Sequence, residues 1–384
     1  MRLRVLYLIN NKMKYLLSLF FFCLFISCGH TSKQTSSEAI ASDTIRYARG
    51  LEVQHFKDYS IVEINDPWEK GQLLQRYILV GRDQPLPGNL PAGTVVRVPL
   101  QNVVVYTSVH AAIVDMLGET DKIIGVCEPR YMDTPGIQQG ILEGRIADLG
   151  ESTSPNVEKM IEIGAEYVIA SPFQNSNYGP VEKIGIPIIE GADYMESLPL
   201  GRTEWIRFYG LLFNKQNVAD SLFRETELNY LELKEMVSGV EKRPTVVSEK
   251  KFGSSWYVPT GDSYIAHLFA DAGANYIFDD IPGAGSTPMA FESVFDRAIH
   301  ADFWLVKYNQ AEDMTYKELR AEYTPYENFD AFKNHTIFGC NTGIVPYYEE
   351  FPIHPDYLLK DFVRIFHPEL LPDYTPRYYK QMEE

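Results

Sequence analysis

The chain has 384 residues, 45% hydrophobic and 13% aromatic, enough to bury the cores of two lobes of ordinary domain size. Its net charge is −17, and such a surface repels phosphate backbones, which excludes nucleic acid as a partner. Past residue 28 only Cys127 and Cys340 remain, too few for a disulfide framework; they fall in different lobes and are expected to be unpaired, buried thiols.

Residues 13–28, MKYLLSLFFFCLFISC, carry a positive start at Lys14 and a short apolar run from Leu16 to Ile26. About eleven apolar positions are too few for a permanent span, which needs about 20. They match the core of a secretory signal instead. Ser27-Cys28 closes the run, and cleavage before Cys28 would let its thiol carry lipid, so residues 1–28 resemble a bacterial lipoprotein signal. Met13 reads as the natural start. Removing the signal takes four cations and no acid, moving the net charge to −21. Residues 29–44, rich in Ser and Thr, read as a flexible tether.

Residues 45–97 read as a β-rich extension: YSIVEI, an NDPW turn, then RYILVGRD and a Pro/Gly-rich loop. From 98 to 201 the pattern is that of a parallel α/β lobe. VVVYT (103–107) is a β-branched run of a doubly covered strand, followed by helical AAIVDMLGE and the strand KIIGVC (122–127). A helix near 155–163 and strands at 166–171 and 186–190 continue the alternation. Residues 202–239 form a helical connector. Gln216 to Ser238 lacks Pro and Gly, is closed by Gly239, and places Ala219, Leu222, Thr226, Tyr230, Leu233 and Val237 on one face. At about 1.5 Å per residue it is roughly 35 Å long. The second α/β lobe, 240–384, has strands at 245–248, 302–308 and 336–340 and a helix over about 262–272. Its last helix starts at Pro355 and stops at His367-Pro368. The fold class is therefore α/β: two parallel-sheet lobes joined by one long helix, with a cleft between them.

SPNVEKMIEIGAEYVIAS (154–171) and STPMAFESVFDRAIHADFWLVKY (286–308) share a plan, in which Glu158 and Glu292 correspond. In open parallel sheets ligands sit beyond the carboxyl ends of the strands. Those loops hold Tyr131, Phe173, Tyr178, Trp256, Tyr257 and Tyr308, aromatics suited to a bulky, partly apolar ligand. For each, packing beneath a loop competes with ligand contact. Arg130 and Arg145 read as surface charges and His110 as structural, since no second ligand stands at helical spacing nearby; no protein-held metal is expected. No G-x-S-x-G, Walker A, H-E-x-x-H or G-x-G-x-x-G motif is present, and Ser248-Glu249-Lys250-Lys251 matches S-x-x-K without its partner motifs, so an enzyme is not expected.

The ordered segments VVVYTSVHAAIVDMLGETDKIIGV, IADLGESTSPNVEKMIEIGAEYVIAS, PLGRTEWIRFYGLLFNKQNVAD and HPDYLLKDFVRIFHPELLP, behind a lipoprotein signal, resemble the substrate-binding proteins of bacterial iron-complex and vitamin B12 ABC importers. The resemblance covers residues from about 98 onward. It implies a monomeric, periplasmic lipoprotein anchored to a membrane through lipid on Cys28. That protein would capture an iron or cobalt chelate (a ferric siderophore or cobalamin, haem ranking lower) and deliver it to an ABC permease dimer with its ATPase subunits. By motif position it carries permease docking onto Glu158 and Glu292, each suited to a bidentate arginine. The alternative is a ligand scavenger or sensor lipoprotein without a transporter.

Overall fold

The computed structural model describes residues 39–175 and 177–384; the signal segment, Cys28 and residues 29–38 of the tether lie outside them. From Leu51 the chain alternates inward and outward side chains, with Leu51 and Val53 buried and Glu52 exposed, the pattern of a sheet covered on one face. The resulting five-stranded sheet runs in the order β1-β2-β3-β4-β5: Ala41–Ser42, Leu51–His55, Ser60–Asn65, Leu73–Gly81 and Thr94–Val98. Only the β4–β5 pair is parallel. This sheet has no core of its own. Val53, Val62, Ile64, Tyr77 and Val96 join one cluster with Val103, Trp205, Phe208 and Tyr209. The Tyr77 hydroxyl donates to Ile188 O (3.1 Å) and accepts from Glu190 N–H (2.8 Å). Residues 45–97 thus cover one face of the first lobe.

That lobe is a parallel sheet in the order β10-β9-β6-β7-β8, with β6 Val103–Val105, β7 Ile123–Val126, β8 Ala147–Asp148, β9 Tyr167–Ala170 and β10 Ile188–Glu190. Its helices are α1 Ser108–Met116, α2 Pro135–Leu142, α3 Val157–Glu162 and α4 Pro180–Lys183. The strand expected over 103–107 stops at Val105, because the Thr107 side chain turns to cap α1, accepting from His110 N–H at 3.2 Å.

The connector is three helices: α5 Pro199–Glu204, α6 Ile206–Phe213 and α7 Gln216–Met236. In α7, Ala219, Thr226, Tyr230 and Leu233 are buried as the periodicity requires, but Phe223 is buried where Leu222 was expected. The reason is the N-terminal strap. Phe223 packs against the Tyr47 ring, 6.1 Å between centroids, with the Arg207 guanidinium 4.7 Å over it. Three carboxylates hold this strap. Glu204, fully buried, accepts from the N–H groups of Arg46 (3.0 Å), Tyr47 (2.7 Å) and Ala48 (3.0 Å), and from Arg207 at 3.1 Å. Glu196 accepts from the N–H groups of Arg49 (2.9 Å) and Gly50 (2.8 Å) and from Trp205 Nε1–H (3.0 Å). Glu227 takes the Tyr47 hydroxyl and the Arg46 guanidinium, both at 2.6 Å.

In the second lobe, β11 Thr245–Ser248, β14 Asn275–Tyr276, β16 Phe303–Tyr308, β17 Ile337–Asn341 and β18 Lys380–Gln381 form a sheet ordered β14-β11-β16-β17-β18, antiparallel only at β18. Segments read from the sequence as loops instead build an antiparallel ribbon: β12 Lys251–Phe252, β13 Ser255–Pro259 and β15 Ser286–Met289, in the order β12-β13-β15. Strands of two to five residues are too short to show a period. The helices are α8 Tyr264–Asp271, α9 Phe291–Ala298, α10 Tyr316–Glu322, α11 Asp330–Lys333, α12 Tyr347–Glu350 and α13 Pro355–Phe366. Thr315 and Glu318 form a capping box at α10. Asp361 on α13 repeats the strap device, accepting from Tyr374 Oη and the N–H groups of Arg377 and Tyr378, each at 2.7 Å. Cys127 and Cys340 are free and buried, and burial pushes both thiols up to about 12.

Candidate functional site

Both sheets have a topological switch point. In the first lobe the chain leaves β6, adds β7 on one side, then crosses to add β9 on the other; in the second, β14 and β16 flank β11 in the same way. Crevices open at such points beyond the carboxyl ends of the strands. The two sets of carboxyl-end loops meet directly. Glu349 on α12, beyond β17, accepts from the N–H groups of Asp133 (2.9 Å) and Thr134 (3.1 Å) and from the Thr134 hydroxyl (2.9 Å), beyond β7. Burial raises the Glu349 carboxyl, against the lowering effect of these donors. Thr203 adds a second tie, its hydroxyl donating to Pro352 O at 3.3 Å.

At the first switch point lies a cavity of about 330 Å³. Its walls are the loops after β6 (Tyr106, Thr107), β8 (Ser152–Pro155) and β9 (Ser171, Phe173, Asn177), closed by Tyr178–Pro180 at the start of α4. Tyr178 is half-buried, and its hydroxyl donates to Glu190 Oε1 at 2.9 Å; burial, then the Glu190 charge, pushes this phenol far above its ordinary value. Phe173 is 64% exposed, its ring 6.4 Å from Tyr194. Sequence reasoning missed Tyr106 because it was assigned to the strand. It lines the cavity, is nearly buried, and its hydroxyl has no hydrogen-bond partner among the described residues.

The remaining aromatics do not converge on this cavity. Tyr131, on the loop after β7, is exposed, with the Arg130 guanidinium 4.7 Å over its ring; Arg130 in turn grips Glu151 with two bonds of 2.8 and 3.0 Å. Arg145 pairs with Glu143 at 2.7 Å. Tyr257 is exposed on the ribbon, opposite Pro288. The Tyr308 hydroxyl accepts from Met314 N–H at 3.0 Å, and the ring fills the space where a Cβ on Gly339 would stand, a packing position. Trp256 requires a correction. It is fully buried, stacked on Trp304 at 5.4 Å between centroids, with Nε1–H donating to Ser248 O at 2.9 Å. Its place on β13 turns the indole into the core of the second lobe, so it does not line the cleft. His110 is buried 3.2 Å from Asp193 Oδ1, beneath Gly191, where a Cβ would come within 2.5 Å of its ring.

Glu158 and Glu292 are exposed, each in the first turn of its helix. Their helices are equivalent: α3 leads into β9 beside the first strand β6, and α9 leads into β16 beside the first strand β11. The weak repeat in the sequence is thus a repeat of topology. Among the described residues no three metal-ligating side chains come together, and no helix is long and apolar enough to cross a membrane.

The family model for periplasmic binding proteins matches residues 103–342, and the chain belongs to that family. An uncharacterized lipoprotein of Methanocaldococcus jannaschii is 27% identical, the match spanning 88% of this chain and 85% of the relative. Two solved structures share the fold. One is described as the ABC-type Fe3+-hydroxamate transport system of Saccharomonospora viridis, with a TM-score of 0.54 and 17% identity, covering 70% of this chain and 94% of that one. The other is IsdE of S. aureus complexed with heme, with a TM-score of 0.53 and 18% identity, covering 70% and 99%.

Proposed function

We propose that this chain is the substrate-binding lipoprotein of an ABC importer, lipid-anchored at Cys28 in the cell envelope and facing the periplasm. It captures a metal chelate in the interlobe cleft and delivers it to a permease dimer, whose ATPase subunits supply all the chemistry. A ferric siderophore or cobalamin suits the cleft better than haem. The observation that carries the transport half is the matched pair Glu158 and Glu292, one exposed first-turn carboxylate on the equivalent helix of each lobe. Such a pair accepts two arginines and reports the spacing of the lobes to whatever binds both. The capture half rests on the cavity at the first switch point, with the Phe173 ring exposed at its wall. Calorimetric titration with metal chelates tests it. Saturable one-to-one binding is expected, weakened about tenfold by Phe173→Ala through loss of an aromatic contact. Absence of binding by every chelate tried would overturn the reading.

A further inference from the structure

We infer that the second lobe also docks through the outer face of its ribbon, where Phe252, Tyr257 and Pro288 seat against an apolar surface beside the arginine that the permease offers Glu292. This rests on the transport reading above and extends it. In an antiparallel ribbon successive side chains alternate between faces, and the register sorts them. Lys251 opposite Trp256, and Trp256 opposite Met289, take the inner face, where Trp256 is fully buried. Phe252 opposite Ser255, and Tyr257 opposite Pro288, fall on the outer one. That face is bare: Phe252 is 81% exposed, Tyr257 is 47% exposed, and Pro288 is exposed as well. Phe252 and Tyr257 are diagonal neighbours across β12 and β13, a separation of roughly 7–8 Å that aromatic side chains can cover. Neither ring has a hydrogen-bond, cation or ring partner among the described residues.

The patch is continuous with Glu292. β15 ends at Met289, next to Pro288, and Glu292 stands in the first turn of α9 immediately beyond. Glu292 and its counterpart Glu158 have no ion-pair or hydrogen-bond partner among the described residues, whereas charges near them are paired, Lys159 with Glu162 and Arg297 with Asp280. A free carboxylate beside bare aromatic rings complements an arginine, which takes a carboxylate in two bonds and stacks on aromatic faces. No ribbon residue lines the cavity at the first switch point. A small ligand needs a concave site, whereas a contiguous exposed apolar face suits a protein surface. The device is one-sided. In the first lobe the chain passes from β6 directly into α1, capped by Thr107; in the second it builds β12 and β13 between β11 and α8. Beside Glu158 the first lobe offers Ile161, 60% exposed and one turn along the same helix face. The two permease subunits therefore meet unequal surfaces, with the aromatic anchor on the second lobe.

The test places the photo-crosslinker p-benzoylphenylalanine at position 161, 252, 257 or 142 of the full chain, in the cells that naturally produce it, and identifies each cross-linked partner by mass spectrometry. Leu142 is the control: it is 82% exposed at the last residue of α2, at the opposite end of the sheet. Positions 161, 252 and 257 should each capture a polytopic membrane subunit, and position 142 should not. Phe252→Ser combined with Tyr257→Ser should lower the cross-link from position 161 at least about tenfold, with the melting temperature near that of wild type because both side chains are exposed. Capture from 161 but not from 252 or 257 would overturn the inference while leaving permease docking standing. Capture from none of the three would overturn both. A cross-link from 252 or 257 to a second copy of this chain would assign the face to self-association and overturn the inference. So would loss of ferrichrome or cyanocobalamin binding in the double variant with the cross-link from 161 intact, which would give the face to the ligand.

Discussion

Glu204→Ala is the substitution expected to damage this molecule far from its cleft. The carboxylate is fully buried on α5 and holds the N–H groups of Arg46, Tyr47 and Ala48, with Arg207 as its cation. Truncation leaves three backbone donors without an acceptor. Each costs about 1 kcal/mol at a partly buried site and up to about 3 when fully dry. The strap is half-exposed, so the lower figure applies and the expected loss is about 3 kcal/mol. Chemical denaturation reads the loss, and hydrogen exchange locates it, since the amides of Arg46, Tyr47 and Ala48 should exchange faster than in wild type. Glu204→Gln keeps one acceptor oxygen and should lose about half as much. Glu232→Ala, at an exposed position on α7, should stay within about 0.5 kcal/mol. A loss below about 1 kcal/mol, with the three amides still protected, would refute the clamp.

Three further outcomes follow from the geometry. Trp256→Phe should cost about 2–4 kcal/mol through a core cavity and a lost indole bond, while ligand affinity stays the same; weakened binding with full stability would return Trp256 to the cleft. The folded-state pKa of Glu349 is raised, so this group favours the native state below its unfolded value of about 4.3 and loses that contribution as pH rises through its folded value. Glu349→Gln should therefore gain in melting temperature relative to wild type as pH rises from that unfolded value towards neutral, and a constant difference would contradict the assignment. With α7 packed against both α6 and α13, and Glu349 tying the carboxyl-end loops together, ligand binding should leave the radius of gyration in small-angle scattering almost unchanged. A large compaction would mean that the lobes hinge widely.

Strand and helix order in both lobes was legible because buried runs such as VVV and FWLVKY stand out as continuous apolar segments, and the uninterrupted 216–236 segment is long enough to show a helical period. The ribbon of β12, β13 and β15 was not, because its pairings are set by neighbours distant in sequence. The site was half-legible. Phe173 and Tyr178 stand at a cavity wall because loops at strand ends must be there. Trp256 occupies a strand whose inward face belongs to the lobe's core, and nothing in SSWYVP distinguishes that face from the outward one bearing Tyr257. Tyr106 was hidden because the expected strand, 103–107, runs two residues past the end of the one the chain forms. The carboxylate clamps of Glu196, Glu204 and Glu227 bridge about 150 residues or more of sequence, a separation no local pattern encodes.

Uptake of the chelate by cells carrying the Glu158→Arg, Glu292→Arg double variant tests the transport role most directly, with the affinity of the purified protein measured in parallel. Reversing both charges should abolish uptake while the affinity stays that of wild type. Normal uptake by the double variant would contradict docking through these two residues.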